Sequence, residues 1–93
     1  MGWRRVEFGE DALARKLPEA LKETFARAFE AAGAPGNAAL FEHREGNRIQ
    51  YYFSPGASAL LESTLSTLGP KRAGAPPAGA RLLVGNAETW KKQ

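Results

Sequence analysis

The chain has no cysteine, a single histidine and a single methionine. Without cysteine there is no disulfide, no thiolate nucleophile and no cysteine-ligated zinc. The same absence suits a reducing compartment. His43 is the only histidine, so one chain cannot assemble a multi-histidine metal site. Long apolar runs are missing too. No stretch approaches the roughly 18–20 residues that a membrane-spanning helix needs, and Met1-Gly2-Trp3-Arg4-Arg5 leads into no signal-type apolar core. These absences predict a cytoplasmic protein with no membrane partner.

Charge of both signs is present, 13 basic residues against 10 acidic for a net +3. The basic excess lies near the ends and in one loop, at Arg4, Arg5, Lys71, Arg72, Lys91 and Lys92. Nucleic-acid modules commonly have a domain pI above about 9, but they also gather their charge into one stripe. Here acidic residues are interspersed along the first helical segment, so solubility is the simpler account of the balance. Hydrophobic content of 43% and charged content of 25% over 93 residues describe one globular domain with an adequate core. Residues 1–86 are expected to form that α+β domain. Residues 87–93 read as a polar tail carrying Trp90.

Periodicity and punctuation set the elements. Trp3 to Phe8 alternates as a short strand that Gly9 ends. Pro18 sits comfortably at the first turn of a helix but not in its middle, which predicts a helix over 18–32 with residues 10–16 as a separate lead-in. Leu21, Phe25, Ala28, Phe29 and Ala32 recur at three- and four-residue spacing as one apolar stripe. Gly33 and Pro35 then end it. A second helix is expected from Ser54 as N-cap and Pro55 at its first position. Ala57, Leu60, Leu61, Leu65 and Leu68 are its buried side, and Gly69-Pro70 its stop. Residues 69–80 read as a Gly/Pro/Ala-rich loop, and Arg81 to Val84 as the last strand.

Between the helices lies the most informative stretch, residues 38–54. Two runs of strand formers flank Gly46-Asn47, a pair suited to a type II′ turn because glycine accepts φ > 0 at the first central position. The resulting order, β-α-β-β-α-β with right-handed crossovers, predicts a ferredoxin-like sandwich: a four-stranded antiparallel sheet with two helices on one face. Val6, Phe8, Leu40, Ile49, Tyr51, Phe53, Leu82 and Val84 are expected to face the helices. Strand two is ambiguous, since a one-residue slip exchanges Leu40 and Phe41.

The opposite face would carry Trp3, Arg5, Phe41, His43, Gln50 and Tyr52, with Leu83 beside them. That is more apolar area than a monomer leaves wet. Three occupants fit. A second copy packed face to face, giving a homodimer, ranks first, and Tyr52→Asp is then expected to yield a monomer by burying an unpaired charge. A small aromatic or apolar ligand between the sheet and loop 69–80 ranks second. Single-stranded RNA stacking on Trp3 and Tyr52 ranks last. The third strand reads Asn47-Arg48-Ile49-Gln50-Tyr51-Tyr52-Phe53, without the basic-Gly-aromatic run of an RNA-recognition motif.

Catalytic constellations are thin. His43 lacks a carboxylate on its own face and a nearby nucleophile, and Ser54 is explained as an N-cap. Glu10 and Asp11 stand where a helix start favours negative charge. Gly74…Gly79 has no strand before and helix after it, as a dinucleotide site requires. No catalytic residue, metal ligand or cofactor is assigned, and the chain is expected to act by binding through its aromatic sheet face.

Overall fold

The computed structural model describes residues 2–11, 16–62, 65–66 and 71–85. Its elements are β1 (Trp3–Phe8), α1 (Leu17–Ala31), β2 (Ala39–Glu45), β3 (Arg48–Phe53), α2 (Pro55–Leu60), β4 (Lys71–Ala73) and β5 (Arg81–Gly85). Trp90, Lys91 and Lys92, Leu68 and Gly69-Pro70, and the 87–93 tail lie outside the described residues, as does most of the lead-in to the first helix.

Helix α1 takes Pro18 in its first turn, as its sequence requires. Leu21 and Phe25 are buried, and Ala28 and Phe29 pack against the core, while Ala32 is exposed. Gly33 follows in the left-handed conformation (φ 83°) that removes a Cβ penalty at a helix end. Ser54 caps α2, its hydroxyl accepting a hydrogen bond from the Ala57 amide at 3.3 Å. At the hairpin tip Glu45 pairs with Arg48. Gly46 has φ 60° and Asn47 has none of the positive φ, the signs a type II′ turn needs.

The sheet is five-stranded, in the order β4-β1-β3-β2-β5, with every neighbouring pair antiparallel. This corrects the four-stranded ferredoxin-like expectation. The last strand, β5, lies outside β2. The edge beside β1 is taken by β4, a three-residue strand inside the segment expected to be loop. Glycine and proline around Lys71-Arg72-Ala73 mask it in the sequence, and its pairing is supplied by β1 rather than by propensity.

One face packs on the helices. Val6, Phe8, Leu40, Ile49, Tyr51 and Phe53 join Leu21, Phe25, Ala57, Leu61 and Leu65 in a single core. Phe25 meets Phe53 edge-on at 5.8 Å, and Phe8 meets Tyr51 likewise at 5.7 Å. The ambiguity of strand two resolves with Leu40 in the core. Its register is pinned at the start by Ser54, whose hydroxyl also accepts from the Ala39 amide at 2.8 Å and donates to the Asn37 carbonyl at 2.7 Å. A shift in the β2–β5 ladder pairs Leu40 with Val84 but Phe41 with Leu82. Leu83 is the extra residue. It packs on the core with Val84, so Leu82 and Leu83 exchange the roles their alternation predicted.

The connection from β4 to β5 joins the two edges. Right-handed crossovers put both helices on one face. β4 runs opposite to β1 but crosses the sheet in the same lateral direction as the β1-α1-β2 unit. The same handedness therefore sends residues 74–80 across the other face. Four strand spacings of about 4.8 Å, plus the axial offset of Ala73 from Arg81, make a diagonal of about 22 Å. Eight residue steps of about 3.3 Å reach about 26 Å. The segment is a strap with little slack.

Candidate functional site

The strap decides what the sheet face beyond the helices looks like. Arg5, Tyr52 and Phe41 are register neighbours across β1, β3 and β2, and Gln50 and His43 are paired one step further along. Trp3, from the start of β1, reaches over to Phe41 with ring centroids 5.9 Å apart and planes tilted by 55°. Against these two rings the strap sets Ala75, Pro76, Pro77 and Ala80, leaving a cleft of about 420 Å³. An amide–carbonyl bond from Ala80 to Pro77 at 2.9 Å closes a turn in the strap. At Gly79 the strap passes close enough that a Cβ would lie 3.9 Å from the His43 ring.

All six residues expected on this face are there, but they are not equally accessible. Trp3, Arg5, Phe41 and His43 are half-buried, whereas Tyr52 is 7% and Gln50 9% exposed. A second copy packed face to face needs these aromatics uncovered. Among the described residues Leu17 is the one large hydrophobic side chain that stands exposed, and it lies on α1.

Polar groups run beside the rings as one chain of bonds. The Tyr52 hydroxyl donates to Gln50 Oε1 at 3.2 Å, and Gln50 Nε2 donates to Glu7 at 3.0 Å. A carboxylate only accepts, so the amide must present its NH2 to Glu7 and its oxygen to Tyr52. His43 Nδ1 lies 3.2 Å from that same oxygen. It is therefore the protonated nitrogen, and Nε2 is left facing the strap. The Gln50 bond, with Arg48, Arg5 and Lys71 nearby, holds the Glu7 carboxyl below the usual carboxylate range.

The helix side carries a second polar group at the same level of the sheet. Glu42 is buried and accepts from Arg44 at 3.2 Å and Arg81 at 3.4 Å. Beside it, burial and then the Glu42 charge push the Tyr51 phenol up to about 12. Its hydroxyl donates to the Pro18 carbonyl at 3.2 Å. The Tyr51–Pro18 bond ties the sheet to α1, and the Glu42 pairs lie within the sheet.

Chemically the cleft offers two aromatic faces and an apolar lid, with a row of polar side chains beside it. Among the described residues no three of His, Asp and Glu stand together as metal ligands. No helix among them is long and apolar enough to cross a membrane. The sequence named loop 69–80 as one wall of a ligand site. It missed that the loop contains an edge strand, and with it the cationic neighbours that β4 brings to β1. Neither a protein-family model, nor a curated protein, nor a solved structure matches this chain.

Proposed function

We propose that the protein is a non-catalytic binding module that holds a planar, largely apolar ligand between the strap and the Trp3–Phe41 pair. The observation that carries this reading is the strap itself, which spans the face and leaves about 420 Å³ over an aromatic floor. Ligand sites typically enclose about 300–1,000 Å³, with apolar walls and few polar groups. His43, beside the strap at Gly79, supplies such a group at the margin. Catalysis finds little to work with. The Ser54 hydroxyl is fully buried with three bonds, and the Gln50 amide is engaged at both ends.

The test uses Trp90→Phe protein, in which Trp3 is the one indole. Titration with uncharged indole and naphthalene compounds is expected to quench Trp3 saturably, to be insensitive to salt, and to fail in a Phe41→Ala background. No saturable change, or the same change without Phe41, overturns the reading. The solution mass gives an independent check. A value near the 10.0 kDa chain supports a face covered from within. Twice that value seats a second copy on the sheet and overturns the cleft. Tyr52→Asp does not serve here, because at 7% exposure it would bury its charge inside the chain's own structure.

A further inference from the structure

Strands β1 and β4 pair in a way that sheets ordinarily avoid. Arg4 stands opposite Arg72, and Arg5 opposite Lys71. Directly opposed side chains have Cβ atoms only about 5 Å apart, and like charges there are destabilising. Alternation sends the two pairs to opposite faces. Arg4 and Arg72 lie on the helix side with Val6, whereas Arg5 and Lys71 lie on the strap side with Trp3 and Glu7. Cations on an edge strand guard against pairing with other chains, which accounts for Lys71. It does not account for Arg5, half-buried on an interior strand with β3 on its other side.

The carboxylate beside Arg5 and Lys71 is already bonded at both oxygens. Glu7 Oε1 accepts from Arg48 at 3.3 Å, and Oε2 accepts from Gln50 at 3.0 Å. Among the described residues neither Arg5 nor Lys71 has a carboxylate within ion-pair distance. Their surroundings on this face are aromatic. Trp3 is two residues from Arg5 on the same face, about 7 Å along the strand. Lys71, Arg5, Tyr52 and Phe41 follow one another as register partners across β4, β1, β3 and β2. The strap begins after Ala73, opposite Trp3, so the two cations stand beside the cleft rather than in its lining.

We infer that Arg5 and Lys71 bind the anionic group of an aromatic acid whose ring lies in the cleft. The ligand class is a planar ring carrying a carboxylate or a phosphate on a short arm. This rests on the cleft reading for the ring. A guanidinium binds either oxyanion through charge-assisted, often bidentate bonds, and the ammonium adds a second positive charge. An anion between Arg5 and Lys71 also offsets the cost of opposing them in the β1–β4 ladder.

The experiment compares naphthylacetate with its neutral amide, naphthylacetamide, by titration calorimetry at low salt. The two share ring and arm and differ in charge. The acid is expected to bind about tenfold tighter, with an advantage that shrinks as salt rises. Arg5→Gln and Lys71→Gln should each reduce the advantage and together remove it, leaving the affinity for the amide unchanged. Arg4→Gln with Arg72→Gln, on the other face, should keep it. Equal binding of acid and amide overturns the anion site and leaves the cleft standing. So does an advantage that survives the Arg5–Lys71 double substitution, or one lost equally with the helix-side pair. Binding of neither compound overturns the cleft reading and the anion site with it. Naphthyl phosphate binding more tightly than naphthylacetate identifies a phosphorylated ring as the ligand; equal or weaker binding identifies a carboxylic acid. Both results support the site.

Discussion

Removing one buried hydroxyl should loosen the register on which the whole sheet face depends. In Ser54→Ala the α2 cap is lost, worth about 1 kcal/mol. The Ala39 amide, in a fully buried residue, then loses its 2.8 Å acceptor, which adds about 2 kcal/mol. The Asn37 carbonyl belongs to an exposed residue and finds water, so it adds little. The expected loss is about 3 kcal/mol, a fall in melting midpoint of about 12–20 °C for a domain of this size. Urea unfolding followed by far-UV circular dichroism measures it, with an unchanged m-value showing that the transition itself is the same. Ser58→Ala is the control. That hydroxyl donates to the Ser54 carbonyl, which the Ser58 amide already satisfies, so its removal should cost under about 1 kcal/mol. If Ser54→Ala loses no more than Ser58→Ala, the hydroxyl does not pin strand β2, and the placement of Phe41 over the cleft needs another cause.

Three further outcomes follow from the same geometry. Tyr51→Phe should cost about 1 kcal/mol at neutral pH through the lost bond to the Pro18 carbonyl. The folded chain keeps the Tyr51 proton up to about 12 whereas the unfolded chain releases it near 10, so the parent loses stability across that window. Its advantage over Tyr51→Phe should therefore narrow between pH 10 and 12, and urea midpoints showing a constant gap would sink this account. Gly85→Ala should cost about 2 kcal/mol, since Gly85 has φ 137° and an added Cβ would lie 2.9 Å from that of Ala39; a melting midpoint within 2 °C of the parent refutes it. Arg72→Gln should raise the midpoint of the unliganded protein by relieving its opposition to Arg4. The gain is about 0.2–1 kcal/mol, fading in high salt, and a lowered midpoint would show that Arg72 is instead satisfied within the chain.

Helix α1 and the β2–β3 hairpin are present where the pattern put them, whereas α2 ends at Leu60, short of the stop expected for it. Pro18, Gly33 and the Leu21–Phe25–Phe29 stripe bound and orient α1, and Gly46-Asn47 turns the hairpin, because each acts through local backbone chemistry. The misplacements all involve partners distant in sequence. Lys71-Arg72-Ala73 has no strand signature of its own and becomes β4 only because β1 offers an unpaired edge. Once β4 holds that edge, Arg81–Gly85 is displaced to the far side of β2. A bulge then shifts Leu83 to the core and Leu82 to the cleft side, which strict alternation cannot anticipate. The candidate face was legible as a set of residues because period-2 alternation fixes faces regardless of strand order. What covers it was not, since that depends on where β4 and β5 sit.

The strap is held at both ends by strand pairing. Its ends are fixed at opposite edges of the sheet, so its path is set by topology and its length leaves only a few ångströms of freedom. Pro76 and Pro77 reduce that freedom further by fixing two φ angles. A lid of this kind cannot swing clear as a hinged loop does. It can open only if one of its anchors lets go, and the weaker anchor is β4, with three residues of pairing and two opposed cation pairs. Access to the cleft is therefore governed by the stability of the β1–β4 ladder rather than by motion within the strap. Anything that weakens the β1–β4 ladder should therefore open the cleft without touching the aromatic rings.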